Sequence, residues 1–190
     1  MKLRVAIAVI VVIAAVLVGV FWWMPKARHA ALESRVAEIE NIEDTVDRQG
    51  AVIAFAVENP DADPDLLLRA YRSVASALEA SGEIGKLIVF HERLLDMGLR
   101  PEPHYTVLAQ LDRVLIETND PTHAERAEEL AGEMLLVDDA PIMPYLWITF
   151  FHGRSEFTDP KLRLDVALAA ERATDREESD DWAMMLSMGY

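Results

Sequence analysis

Two hydrophobic patterns divide the chain. Val5 to Met24 are twenty consecutive residues without a charge, VAIAVIVVIAAVLVGVFWWM. As a helix rising 1.5 Å per residue, such a run covers about 30 Å, the hydrocarbon thickness of a bilayer. Every later apolar residue belongs instead to a stripe set among polar positions. From about Ala27 to Val57, Leu32, Val36, Ile39, Ile42, Val46 and Ile53 recur at spacings of three, four and seven, which predicts one face of a helix. Glu33, Glu38, Glu40, Glu43 and Asp44 fill the opposite face. Pro25 is expected to end or kink the first helix, and Gly50 to divide the second. The stripe is too short and interrupted for a coiled coil, so it is expected to pack on the domain that follows.

Beyond the break at residues 58–65, helix starts are written into the chain. Asp-Pro occurs at Asp63-Pro64, Asp120-Pro121 and Asp159-Pro160. Asp suits the N-cap and Pro the first helical position, where its missing N–H is not needed. The β-branched runs Ile84 to Phe90 and Tyr145 to Phe151 lie inside helical periodicity. The expected fold is therefore all-α: an anchor helix over 1–25, juxtamembrane helices over 26–60, and a helical domain over 61–190 with antiparallel pairs and no sheet.

The first run is read as a retained membrane anchor. Its rival is a cleavable signal peptide, but the apolar run exceeds the usual signal core, and it ends in Phe21-Trp22-Trp23-Met24 rather than small-x-small. Paired Trp residues suit the membrane interface. The anchor is carried by Val5, Ile10, Val20, Phe21, Trp22, Trp23 and Met24. Lys2 and Arg4 precede the run while Lys26, Arg28 and Arg35 follow it, a near tie in basic flanks. The short basic N-terminus favours a signal anchor in a bacterial inner (plasma) membrane, with the domain in the periplasm.

Charge narrows the partners. The chain has 18 basic and 33 acidic residues, and two of the basic ones, Lys2 and Arg4, precede residue 26. The rest carries 16 basic against 33 acidic residues, a net −17. Such a domain does not bind nucleic acid by neutralising phosphates. It suits a basic or apolar segment of another protein. Cysteine is absent, which excludes disulfides and thiol chemistry.

Residues 71–101, YRSVASALEASGEIGKLIVFHERLLDMGLRP, carry a resemblance. Tyr71, Val74, Ala75, Leu78, Gly82 and Leu87 stand where a tetratricopeptide repeat places its first aromatic, large-small pair, next large residue, turn glycine and second-helix apolar residue. Tyr105 follows Tyr71 by 34 residues and opens a looser unit, in which Asp112 stands where a large residue is usual. A third unit holds Tyr145 to Phe151 and Leu164 to Ala173. Trp182 to Tyr190 resembles the opening of a further unit. Over roughly residues 65–190 the chain thus resembles tetratricopeptide domains, and the resemblance implies a stack of helical hairpins that binds another protein. In architecture it is also similar to single-span factors attending the secretion translocon and to the repeat domains of cytochrome c biogenesis factors.

No constellation for catalysis emerges. His29, His91, His104, His123 and His152 show no metal-ligand spacing and are expected as exposed or half-buried polar residues. There is no phosphate loop and no nucleophile elbow. No cofactor, metal or small-molecule substrate is expected, and the chain is not expected to be an enzyme. Two apolar clusters are candidate protein interfaces: Tyr145, Trp147, Phe150 and Phe151, and then Trp182, Met185, Leu186 and Tyr190. Trp182, Met185 and Leu186 share a helical face by their spacing and are expected to cap the stack. The sequence thus points to a membrane-tethered adaptor or scaffold assisting assembly, maturation or secretion. The alternative is an accessory subunit held permanently in a larger membrane complex.

Overall fold

The computed structural model describes residues 23–136, 142–155 and 158–174. All regular structure among them is α-helical, with no strand. The described part of α1 covers residues 23–40. It is followed by α2 (Thr45–Glu58), α3 (Pro64–Ala80), α4 (Ile84–Leu95), α5 (Pro101–Glu117), α6 (Pro121–Leu135), α7 (Ile142–Arg154) and α8 (Pro160–Thr174). No helix among the described residues is long and apolar enough to cross a membrane. Most of the apolar run, including Val5, Ile10, Val20, Phe21 and Trp22, lies outside the described residues.

The three Asp-Pro starts are all present. Asp63 Oδ1 accepts from the Asp65 amide at 3.0 Å, Asp120 Oδ1 from the Thr122 amide at 2.8 Å, and Asp159 Oδ1 from the Lys161 amide at 3.1 Å. Each satisfies an amide that the first helical turn cannot. At the other ends, Gly82 and Gly98 take φ of 71° and 64°. That left-handed geometry closes helices at little cost only for glycine. Asn119 does the same after α5 with φ 55°.

Pro25 lies within the described part of α1, which continues to residue 40. Two expectations that follow it are corrected. The break that follows is at residues 41–44, and Gly50 lies inside α2. Asp44 captures the Val46 and Asp47 amides, while the Arg48 guanidinium donates to Ile42 O (Nε, 2.8 Å) and Ser73 O (Nη1, 3.1 Å). Side-chain capture of free backbone groups sets the break, outweighing the intrinsic weakness of glycine. The break also resets the helical phase. Val36 and Ile39 are buried, but α2 buries Val52, Phe55 and Ala56 and leaves Val46 60% exposed.

Two apolar cores share one central helix. Val36, Ile39, Phe55, Val74, Leu78 and Phe90 belong to the first, built from α1 to α5. Leu130, Met134, Ile148 and Ala170 belong to the second, built from α5 to α8. Helix α5 turns Val107 and Val114 to the first and Leu108, Leu111 and Leu115 to the second. It packs against α3, α4, α6 and α7. Helix α3 packs on α2 and α4, α5 on α4 and α6, and α7 on α8, and α5 also contacts α3 and α7.

Candidate binding cleft

The α3–α5–α7 side of the domain holds a cleft of about 220 Å³. Helical spacing puts its walls together. Tyr71, Arg72, Ala75, Ser76 and Glu79 share one face of α3, and Thr106, Gln110 and Arg113 one face of α5. Helix α4 adds Leu87 and His91 one turn apart, and α7 adds Trp147.

Tyr71 and His91 are both buried in its floor. Tyr71 Oη and His91 Nε2 are 2.7 Å apart, and the Tyr71 ring stacks on Phe90 with centroids 6.0 Å apart. Burial, with the Arg113 charge adding to it, pushes the His91 pKa down to about 3, so the ring is neutral at ordinary pH. Burial likewise raises the Tyr71 pKa, and the phenol keeps its proton. His91 Nδ1 is buried with no partner among the described residues.

Arg113 organises the wall. Its Nε donates to Gln110 Oε1 at 3.1 Å, and its Nη1 to Glu79 Oε1 at 2.8 Å and Glu117 Oε2 at 3.0 Å. Burial opposes its charge, but the Glu79 hydrogen bond and the Glu117 and Glu79 charges raise its pKa. Arg72, exposed, lines the cleft as well, so the lining carries two guanidiniums and one carboxylate, that of Glu79.

A second polar group lies apart from the residues that line this cleft. Asp112 on α5 and His152 on α7 are both fully buried, with Asp112 Oδ1 2.8 Å from His152 Nε2. His152 Nδ1 reaches Thr158 Oγ1 at 2.9 Å, just ahead of α8. Burial raises the Asp112 pKa, while the hydrogen bond to His152 and its charge lower it. Asp112 Oδ2 has no partner among the described residues. This cluster joins α5, α7 and the start of α8 within the core. Among the described residues no group of His, Asp and Glu is arranged to hold a metal ion.

The proposed interface residues separate. Tyr145 is buried and donates from Oη to Met134 O at 3.0 Å, so it belongs to the core. Trp147 is half-buried and lines the cleft. Phe150 and Phe151 are half-buried and pack edge to face, centroids 5.2 Å apart. Trp23 and Met24 are exposed at the start of the described part of α1. Trp182, Met185, Leu186 and Tyr190 lie outside the described residues. Of the five histidines, His29 is exposed and His104 and His123 are half-buried as expected, but His91 and His152 are buried. His91 is accommodated by Tyr71, and His152 by Asp112 and Thr158, partners that a single sequence does not display. Sequence reasoning missed Arg72, Gln110 and Arg113 as cleft residues. Their signal was the polar i, i+4 spacing on α3 and α5, together with the 34-residue separation of the Glu79–Arg113 pair.

Compared with known protein families, with curated proteins and with solved structures, the chain matches none.

Proposed function

We propose that the protein is a membrane-tethered, tetratricopeptide-like adaptor that grips a segment of another polypeptide in the cleft between α3, α5 and α7. One observation carries this reading. Helices α3, α5 and α7 turn polar and aromatic side chains, Arg72, Gln110, Arg113, Tyr71 and Trp147, into one shared cleft. An aromatic flank beside a few polar donors and acceptors is the usual chemistry of a specific protein-binding patch. What supports the anchor is the uncharged run Val5 to Met24, at whose end Trp23 and Met24 are exposed. In this reading the protein sits in a bacterial inner membrane with its domain in the periplasm, and holds its partner for assembly, maturation or secretion.

The test is co-purification. Full chain extracted in mild detergent brings down a partner, and Trp147→Ala and Arg72→Glu each reduce its recovery while the thermal midpoint is unchanged. Equal recovery by wild type and both variants would refute the cleft as the gripping site.

A further inference from the structure

Helix α1 meets the domain late. Residues 23–31 are all exposed except Ala27, which is half-buried. Among the described residues of α1, Leu32 is the first to pack against the core and Val36 the first to be fully buried. From Met24 to Leu32 the helix rises about 12 Å. The headgroup layer of a bilayer is about 5–8 Å thick on each side of the hydrocarbon. The exposed turns are therefore long enough to cross that layer and leave the domain just beyond it. Their charge has one sign. Residues 23–32 hold Lys26 and Arg28 and no carboxylate, whereas residues 33–190 hold 14 basic against 33 acidic residues, a net −19. Lys26 and Arg28 are separated by about 200° around the helix, so they leave it on nearly opposite sides. Past Met24 the apolar side chains of this stretch are Ala27, Ala30 and Ala31, too small a face for a helix to lie flat on a bilayer.

We propose that residues 23–31 stand upright through an anionic headgroup layer, where Lys26 and Arg28 take lipid phosphates on opposite sides of α1. The proposal rests on the reading of Val5 to Met24 as the anchor. Trp23 and Met24, both exposed, then lie at the hydrocarbon edge. The chain is continuously helical from residue 23 to residue 40, through Pro25, so one helix runs from that edge into the domain. It serves as a stiff spacer. The acidic domain is repelled by anionic lipids over about 8 Å at physiological salt, and the spacer holds it beyond the headgroups while the two basic side chains hold the lipids themselves.

The chain has no cysteine, so a single introduced one reports its own position. The full chain is reconstituted into vesicles of equal parts phosphatidylglycerol and phosphatidylcholine, with a spin label at Met24→Cys, Ala27→Cys, His29→Cys or Ala31→Cys. Label depth, read from collision with oxygen against a water-soluble nickel chelate, is expected to fall steadily in that order. Position 29 faces away from 27 and 31 on a helix. A helix lying flat would place 29 shallower than both, and that order overturns the proposal. Lipid choice is read by native mass spectrometry of the full chain in detergent with both lipids. Phosphatidylglycerol is expected to be retained in preference to phosphatidylcholine. Arg28→Gln is expected to lower that preference about fivefold, and Lys26→Gln/Arg28→Gln to remove it. Equal retention of the two lipids by wild type also overturns the proposal. An alkaline carbonate wash of the vesicles separates the two readings. A chain that stays in the membrane but fails either measurement leaves the anchor standing and removes the upright headgroup contact alone. A chain that washes out refutes the anchor, and this proposal with it.

Discussion

Replacing His152 by Leu keeps an apolar side chain on α7 and removes both ring nitrogens. Asp112 then loses the 2.8 Å contact to its Oδ1, while its Oδ2 already lacks a partner among the described residues. Thr158 loses its contact as well. Removing one member of a buried, hydrogen-bonded pair costs about 3–5 kcal/mol, because the other is left buried and uncompensated. For a domain of about 150 residues each kcal/mol moves the thermal midpoint by about 2–4 °C, so the expected fall is about 6–20 °C. The assay is thermal melting of the full chain in mild detergent, followed by circular dichroism. The deficit also has a pH signature. In the native protein burial raises the Asp112 pKa and His152 pulls it back. Without His152 only the raising effect remains, so the folded state holds its proton to higher pH. A raised native pKa contributes stability that is full below the unfolded value and is lost as pH rises through the native one. The deficit of His152→Leu is therefore smallest in the ordinary carboxylate range, about pH 4, and grows as pH rises above it. The double variant Asp112→Leu/His152→Leu regains much of the loss, since two apolar side chains replace the pair. A fall under about 2 °C, or a double variant as unstable as the two single losses added, would refute the assigned role of the pair.

Gly50 lies inside α2, where a Cβ meets nothing within 4 Å, so Gly50→Ala is expected to raise stability by about 0.5–1 kcal/mol in denaturant melts. Gly82 also has open space, but its φ is 71°; Gly82→Ala is expected to lower stability by about 1–2 kcal/mol in the same melts. Asp120→Ala removes the cap of α6 and should cost about 1 kcal/mol, read as faster amide exchange in its first turn. Intact-mass measurement of membrane-extracted protein is expected to find the chain with residues 5–24 retained; a mature N-terminus beyond Met24 would rule out the anchor.

Local chemistry was legible in the residues alone. Asp-Pro at 63, 120 and 159, and Gly at 82 and 98, marked helix ends because capping and left-handed geometry depend on a few neighbouring atoms. The all-helical class followed from the same periodicity. The break at residues 41–44 was less accessible: Arg48 secures it partly through Ser73, 25 positions away. The cleft was hidden for a related reason. Trp147 stands out in the sequence as a candidate interface and Tyr71 as a repeat aromatic, but Arg72, Gln110 and Arg113 read as ordinary polar residues, and only the side-by-side packing of α3, α5 and α7 brings all five to one space. His152 is the sharpest case. Without metal-ligand spacing it is expected to be exposed or half-buried, yet tertiary packing buries it against Asp112, 40 residues earlier. A buried polar group is stable only with its partner, and that partner is supplied by the fold rather than by any neighbour in the chain.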